Sequence, residues 1–155
     1  MSDHQPRPGA PNWRIAIAVA QFNPTITGML LEGTRTTLAD AGVVDDHVQV
    51  FEVPGAWELP LASQRLAESG RFDAIIALGA VVRGETAHFD FISAECARGL
   101  QQVSLKTGIP VAFGVLTPEN GEQALERADP GRKNKGREVA EAALDMIAFN
   151  AEVAP

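Results

Sequence analysis

Apolar and polar positions change period several times along the chain, and each change marks an element. The stretch Trp13 to Ala20 is apolar at every position from Ile15 onward, as in a strand covered on both faces. Gln21-Phe22-Asn23-Pro24 ends it. From Thr25 to Gly42, Ile26, Met29, Leu30, Gly33 and Leu38 recur at helical spacing, and Gly42 is the stop. His47 to Val53 alternates as a second strand, and Pro54-Gly55 turns the chain. Ala56 to Ser69 reads as a second helix ended by Gly70. Its Pro60 is tolerated only in a first turn, which sets the start near Trp57 or Glu58. Asp73 to Val82 is the third strand. Phe89 to Thr107 is the third helix, with Ile92, Cys96, Leu100 and Val103 on one face. Pro110 to Thr117 is the fourth strand and Glu119 to Ala128 a short helix, broken by Asp129-Pro130-Gly131. Lys135 to Asn150 is the last helix, with Val139, Ala143, Met146 and Ile147 expected inward and Arg137, Glu138, Glu141 and Asp145 outward.

Strict alternation of strand and helix predicts an α/β fold: a four-stranded parallel sheet with helices on both faces and right-handed crossovers. No internal repeat or linker interrupts residues 13–155, so they read as one domain, and 155 residues suffice for a real core. Residues 1–12, with Pro6, Pro8, Gly9 and Pro11, read as a flexible arm. A net charge of −7 offers no basic face for nucleic acid. The single cysteine, Cys96, rules out an internal disulfide framework and a cysteine-based zinc site, and its place in a buried stripe makes it inert core. No apolar run reaches the length of a membrane span, and Met1 to Pro8 lacks the apolar centre of a signal peptide, so a cytoplasmic protein without membrane or nucleic-acid partners is expected.

In such sheets, ligands bind beyond the carboxyl ends of the strands. Those ends carry Phe22 and Asn23, then Pro54 to Glu58, then Val81 to His88, then Phe113 to Thr117. The third is the richest. Gly79-Ala80-Val81-Val82-Arg83-Gly84-Glu85-Thr86-Ala87-His88 links a buried strand to a helix, so backbone N–H groups and a helix dipole converge on the turn. An anion is its natural occupant. Thr86 suits both a cap and a donor to that anion. His88 follows at the mouth, and an imidazole can both give and take protons near neutrality. Phe22, Trp57 and Phe113 offer surfaces for a flat ring. Taken singly, each has a plainer role: a capping histidine, a capping threonine, an aromatic in the core. His4 and His47 lack neighbours that suggest metal binding.

The segments Phe22-Asn23, Pro54-Gly55-Ala56-Trp57-Glu58-Leu59-Pro60, Gly84-Glu85-Thr86-Ala87-His88-Phe89-Asp90 and Asn134-Lys135-Gly136 resemble, in this order, those of the 6,7-dimethyl-8-ribityllumazine synthase family. The resemblance runs from about Arg14 to Phe149. It implies a three-layer flavodoxin-like sandwich and an enzyme of riboflavin synthesis. In the implied reaction, 5-amino-6-(D-ribitylamino)uracil condenses with 3,4-dihydroxy-2-butanone 4-phosphate to the lumazine, phosphate and water, with no metal or redox cofactor. It also implies a homopentamer, in some members a shell of pentamers, with active sites between neighbouring subunits.

Under the same resemblance, His88 is the proton carrier. Phe22, Asn23, Ala56, Trp57, Glu58, Ala80, Val81, Val82 and Phe113 bind the pyrimidine and its ribityl chain, the small residues through main-chain groups. Glu85, Thr86, Arg127 and Lys135 bind the phosphate, and Phe113 and Arg127 reach into a neighbour's site. By residues alone, Arg132 competes with Arg127, and Lys135 is one of several basic residues. Two other functions fit the scaffold: a non-catalytic flavin- or lumazine-binding protein, and a related riboflavin synthase. A binder needs neither a proton carrier nor a phosphate grip, and a synthase that dismutates two lumazines needs no ketone-phosphate site.

Overall fold

Two adjacent strands without a polar side chain form the centre of the molecule. In the computed structural model, which describes residues 6–155, β1 (Ile15–Ala20) and β3 (Ala74–Ala80) are buried at every position. They lie inside a parallel sheet of order β2-β1-β3-β4, flanked by β2 (Val48–Val53) and β4 (Val111–Leu116). Ile17 stands level with Val50 on one side and Ile76 on the other. This is the doubly wound, flavodoxin-like strand order.

Alternation along the strands divides the core. Ile15, Ile17, Val19, Ile76 and Leu78 pack with Leu30 and Leu38 of α1 (Pro24–Ala41) and Leu144 of α5 (Lys135–Val153), and α4 (Gly121–Ala128) adds Ala124 and Ala128. Ala16, Ala18, Ala20, Ile75 and Ala77 face α2 (Leu59–Glu68) and α3 (His88–Thr107), against Leu59, Leu100 and Val103. The result is a three-layer α/β sandwich. Fully burying each large aliphatic side chain contributes about 1.5–3 kcal/mol. The alanines keep the second face shallow, so α2 and α3 pack close: a Cβ on Gly99 would meet the Pro60 ring at 2.8 Å. Cys96 is buried there, and burial pushes its thiol up to about 11, leaving no thiolate near neutrality.

Three local expectations change. The second helix opens as a 3-10 turn over Ala56–Glu58, and the α-helix starts at Leu59 with Pro60 in its first turn. Met146 is half exposed; Ala140 and Leu144 complete the inward stripe of α5 with Val139, Ala143 and Ile147. Within the arm expected over residues 1–12, residues 1–5 lie outside the described residues, while Arg7 to Asn12 dock. The Arg7 amide donates to the Ala41 carbonyl at 2.8 Å, the Arg7 guanidinium pairs with Asp145, and Ala10 is fully buried against the α1–α5 layer. Prolines exclude a strand there but suit the 3-10 turn Ala10–Asn12. Among the described residues, no helix is long and apolar enough to cross a membrane.

Helices α1 and α5 approach closely at Gly136. The buried Thr34 hydroxyl donates to the Gly136 carbonyl at 3.1 Å, and a Cβ on Gly136 would sit 2.3 Å from the Leu30 carbonyl oxygen. Gly136→Ala therefore has to separate the helices. Overpacking of this kind costs about 1–3 kcal/mol, so thermal denaturation should show a melting temperature lower by several degrees. An unchanged melting temperature would mean that the two helices separate freely at this point.

Candidate active site

The strand order reverses at β1: the chain runs from β1 to β2 on one side and then to β3 on the other. The carboxyl ends of β1 and β3 border a crevice at that point. A cavity of about 570 Å³ occupies it, within the usual size range of ligand pockets. Phe22 and Asn23 enter it after β1; Gly55, Ala56, Trp57 and Glu58 after β2; Ala80, Val81, Val82, His88 and Ile92 from β3 and α3. Nine residues expected from the sequence and its resemblance thus line one cavity. Phe22 is 72% and Trp57 60% exposed, so both aromatic faces are open to a ligand. Gly55 and Ile92 were not singled out from the sequence as cavity residues. Ile92 was legible, because it stands one helical turn beyond His88.

The polar groups in this apolar cavity are few and differ in state. One carboxylate oxygen of Glu58, Oε2, is buried and has no hydrogen-bond partner among the described residues. Such an acceptor is costly to leave unmatched, and ligand hydroxyls would satisfy it. Asn23 has a left-handed backbone, φ 60° and ψ 59°, and its side-chain amide donates to the Ala80 carbonyl at 3.0 Å. It ties the end of β1 to the end of β3, so its Nδ2 is engaged within the protein. The amide of Val81 is also engaged, donating to Leu116 at 2.8 Å. The main-chain roles expected for Ala80 and Val81 therefore rest on the second lone pair of the Ala80 carbonyl and on the Val81 carbonyl.

His88 is the first residue of α3 and is exposed. The Thr86 hydroxyl accepts from the His88 amide at 3.4 Å, a local turn in place of a side-chain helix cap. Glu85 and Thr86 are exposed and stand outside the cavity lining. Among the described residues, the Gly84 and Glu85 amides have no hydrogen-bond partner, so the turn offers free donors at the positive end of a helix.

Arg127 and Lys135 lie elsewhere on the chain. With Lys133 they line a second cavity of about 290 Å³ below the end of β4, which shares no residue with the first. The Arg127 guanidinium donates to the Gln123 carbonyl at 3.2 Å, and Lys135 pairs with Glu138 at 3.5 Å. Lys133 was not expected here; from the sequence it was one member of a basic run. Phe113 departs further from expectation. It is paired with Ala77 in the middle of β4, rather than standing at the strand end, and it lines neither cavity. Because β4 is an edge strand, the ring is 45% exposed on the outside of the sheet.

The profile of the 6,7-dimethyl-8-ribityllumazine synthase family matches residues 12–151. The chain is also 53% identical over 139 residues to the 6,7-dimethyl-8-ribityllumazine synthase of Edwardsiella ictaluri (strain 93-146), an alignment covering 89% of this chain and 89% of that protein.

The strained Asn23 yields a test. Asn23→Ala removes the bond to Ala80 and leaves a Cβ residue in the left-handed region, at a cost of about 1–2 kcal/mol for the backbone alone. Asn23→Gly removes the same bond without that strain. Denaturant unfolding should rank the wild type above Asn23→Gly and Asn23→Gly above Asn23→Ala. The reverse order of the two variants would show that the backbone relaxes out of the left-handed region.

Proposed function

The chain belongs to the 6,7-dimethyl-8-ribityllumazine synthase family, and on that premise we propose which of its groups carry the family's reaction. The enzyme acts in riboflavin biosynthesis. It condenses 5-amino-6-(D-ribitylamino)uracil with 3,4-dihydroxy-2-butanone 4-phosphate to 6,7-dimethyl-8-ribityllumazine, with loss of phosphate and water. The observation that carries the assignment is the single cavity in which open aromatic faces, an unmatched carboxylate oxygen and a histidine meet. The pyrimidine stacks between Phe22 and Trp57 over the small side chains of Ala56, Ala80, Val81 and Val82. Glu58 accepts from the ribityl hydroxyls. Asn23 holds the two strand ends together rather than binding the ring through its amide nitrogen. The ketone phosphate takes the free amides of Gly84 and Glu85 and the Thr86 hydroxyl.

His88 stands between these two subsites. Its imidazole hydrogen-bonds to nothing among the described residues, so both nitrogens are open for proton transfer. Imine formation, phosphate loss and ring closure each move a proton, and an imidazole serves in both directions.

Arg127 and Lys135 complete the phosphate grip from a second chain. Support comes from the separation of the two cavities, and from Phe113, Phe91 and Leu105, which a single chain leaves exposed. The unit is a homopentamer with the active site between neighbours. A single, buried cysteine suits a reducing compartment, and we place the reaction in the cytoplasm.

Two outcomes test this account. Followed by lumazine fluorescence, His88→Ala should lower kcat by about 10²-fold or more and remain above the uncatalysed mixture, because general acid–base help is worth about 10²- to 10⁴-fold and substrate pairing persists. An unchanged rate would remove His88 from the chemistry. Light scattering should give a mass near five times the 16.5 kDa of one chain, or a multiple of that pentamer. A monomer or dimer with full activity would rule out a site shared between neighbours in a ring.

A further inference from the structure

Beyond the strand ends, the segment carrying the anion turn is held by very little main chain. The Val81 and Arg83 amides extend the β3–β4 ladder to the carbonyls of Leu116 and Pro118, at 2.8 and 3.0 Å, and the amides of Gly84 and Glu85 then have no partner among the described residues. The side chain of Arg83 spans this gap. Its Nε donates to Glu119 at 2.8 Å, in the loop before α4, and its Nη2 donates to Asp90 at 3.3 Å, in the first turn of α3. The guanidinium also lies 4.4 Å from the centre of the Phe89 ring. One cation therefore joins the β4–α4 loop to the turn of helix that begins at His88.

Its charge matters as much as its reach. Glu85, Asp90 and Glu119 put three carboxylates around a turn whose expected ligand is an anion, on a chain of net charge −7. Arg83 neutralises two of them. A planar fork makes two directed bonds and stacks on an aromatic ring together, whereas a lysine ammonium supplies charge without the fork. Exposed ion pairs contribute little to stability, so this network matters for placement and local potential more than for folding.

We propose that Arg83 is a positioning residue of the condensation: it holds the Gly84–Thr86 turn and the start of α3 in place and screens the carboxylates that would otherwise repel the ketone phosphate. The assignment rests on that turn being the phosphate subsite. Arg83 touches neither substrate. Losing it should weaken binding of the phosphorylated partner selectively and leave the uncharged pyrimidine unaffected.

The experiment compares Arg83→Ala, Arg83→Lys and the wild type as intact oligomers, with KM for each substrate, kcat, and inhibition by inorganic phosphate. In the wild type, phosphate should compete with the ketone phosphate. In Arg83→Ala, the KM for the ketone phosphate and the inhibition constant of phosphate should both rise about tenfold, and the KM for the pyrimidine should stay within twofold. Arg83→Lys should recover part of the loss. Equal rises in both KM values, a fall in kcat alone, or unchanged constants would overturn the role of Arg83. If phosphate does not compete in the wild type, it is the assignment of the turn that fails, and the role of Arg83 with it. Should Arg83→Ala not assemble, Arg83→Gln carries the same comparison. A merely structural contact would be lost in Arg83→Gln without a selective change in phosphate binding.

Discussion

The parallel pairing of β1 with strands on both sides is the constraint on which everything else depends. A strand with neighbours left and right, joined by right-handed crossovers, must send the first crossover over one face and the next over the other. That places α1 and α5 on one face and α2 and α3 on the other, and it parts the chain at the carboxyl ends of β1 and β3. The crevice follows from connectivity, before any side chain is chosen to fill it. Apolar residues on both faces of β1 and β3 hold this pairing in place, because a polar side chain at any of these positions would be buried without a partner.

The crevice is kept in shape at some cost to the fold. Asn23 occupies a backbone region that side chains rarely adopt, and its amide bridges the two parted strands. Glu58 keeps a buried oxygen without a donor. The turn at Gly84 and Glu85 leaves its amides unpaired. Asn23 and Glu58 line the cavity itself, and the Gly84–Glu85 turn lies beside it. Away from the cavity, the α1–α5 contact is closely matched, with the Thr34 hydroxyl donating to the Gly136 carbonyl between the two helices.

How much of this was legible in the sequence depends on the range of the interaction. Strands read from unbroken apolar runs, Ile15 to Ala20 and Ala74 to Leu78, lie where expected, because burial on both faces leaves a signature in every residue. The cavity residues at three strand ends were legible for the same reason: connectivity alone brings them to one edge. Phe113 was misplaced because it was grouped with the carboxyl end of its strand, although the apolar run from Pro110 to Thr117 already puts it mid-strand. Met146 was misplaced because one apolar residue in a mixed helix carries no information about which of two adjacent stripes faces inward. The docking of Ala10 was hidden by the prolines around it, which exclude a strand yet permit a short turn. Arg83 could not have been found from spacing, since its partners Asp90 and Glu119 meet it only once β3 and β4 are side by side.

Electrostatics then explains why a chain of net negative charge can handle an anionic substrate. Net charge governs solubility and long-range approach, while binding depends on potential within a few ångströms. Around the first cavity, the favourable terms are backbone amides and a helix end, which add no formal charge, and Arg83 is committed to neutralising carboxylates. A second group of cations, Arg127, Lys133 and Lys135, gathers in a different cavity, where Lys133 pairs with Glu126 and Lys135 with Glu138. A phosphate held by amides alone would bind weakly, and one held by that basic cluster alone would sit away from His88. Bringing the basic cavity of one chain to the amide turn of another resolves both shortcomings at once. Assembly, in the function proposed here, is thereby a condition of the chemistry as well as a cover for exposed apolar side chains.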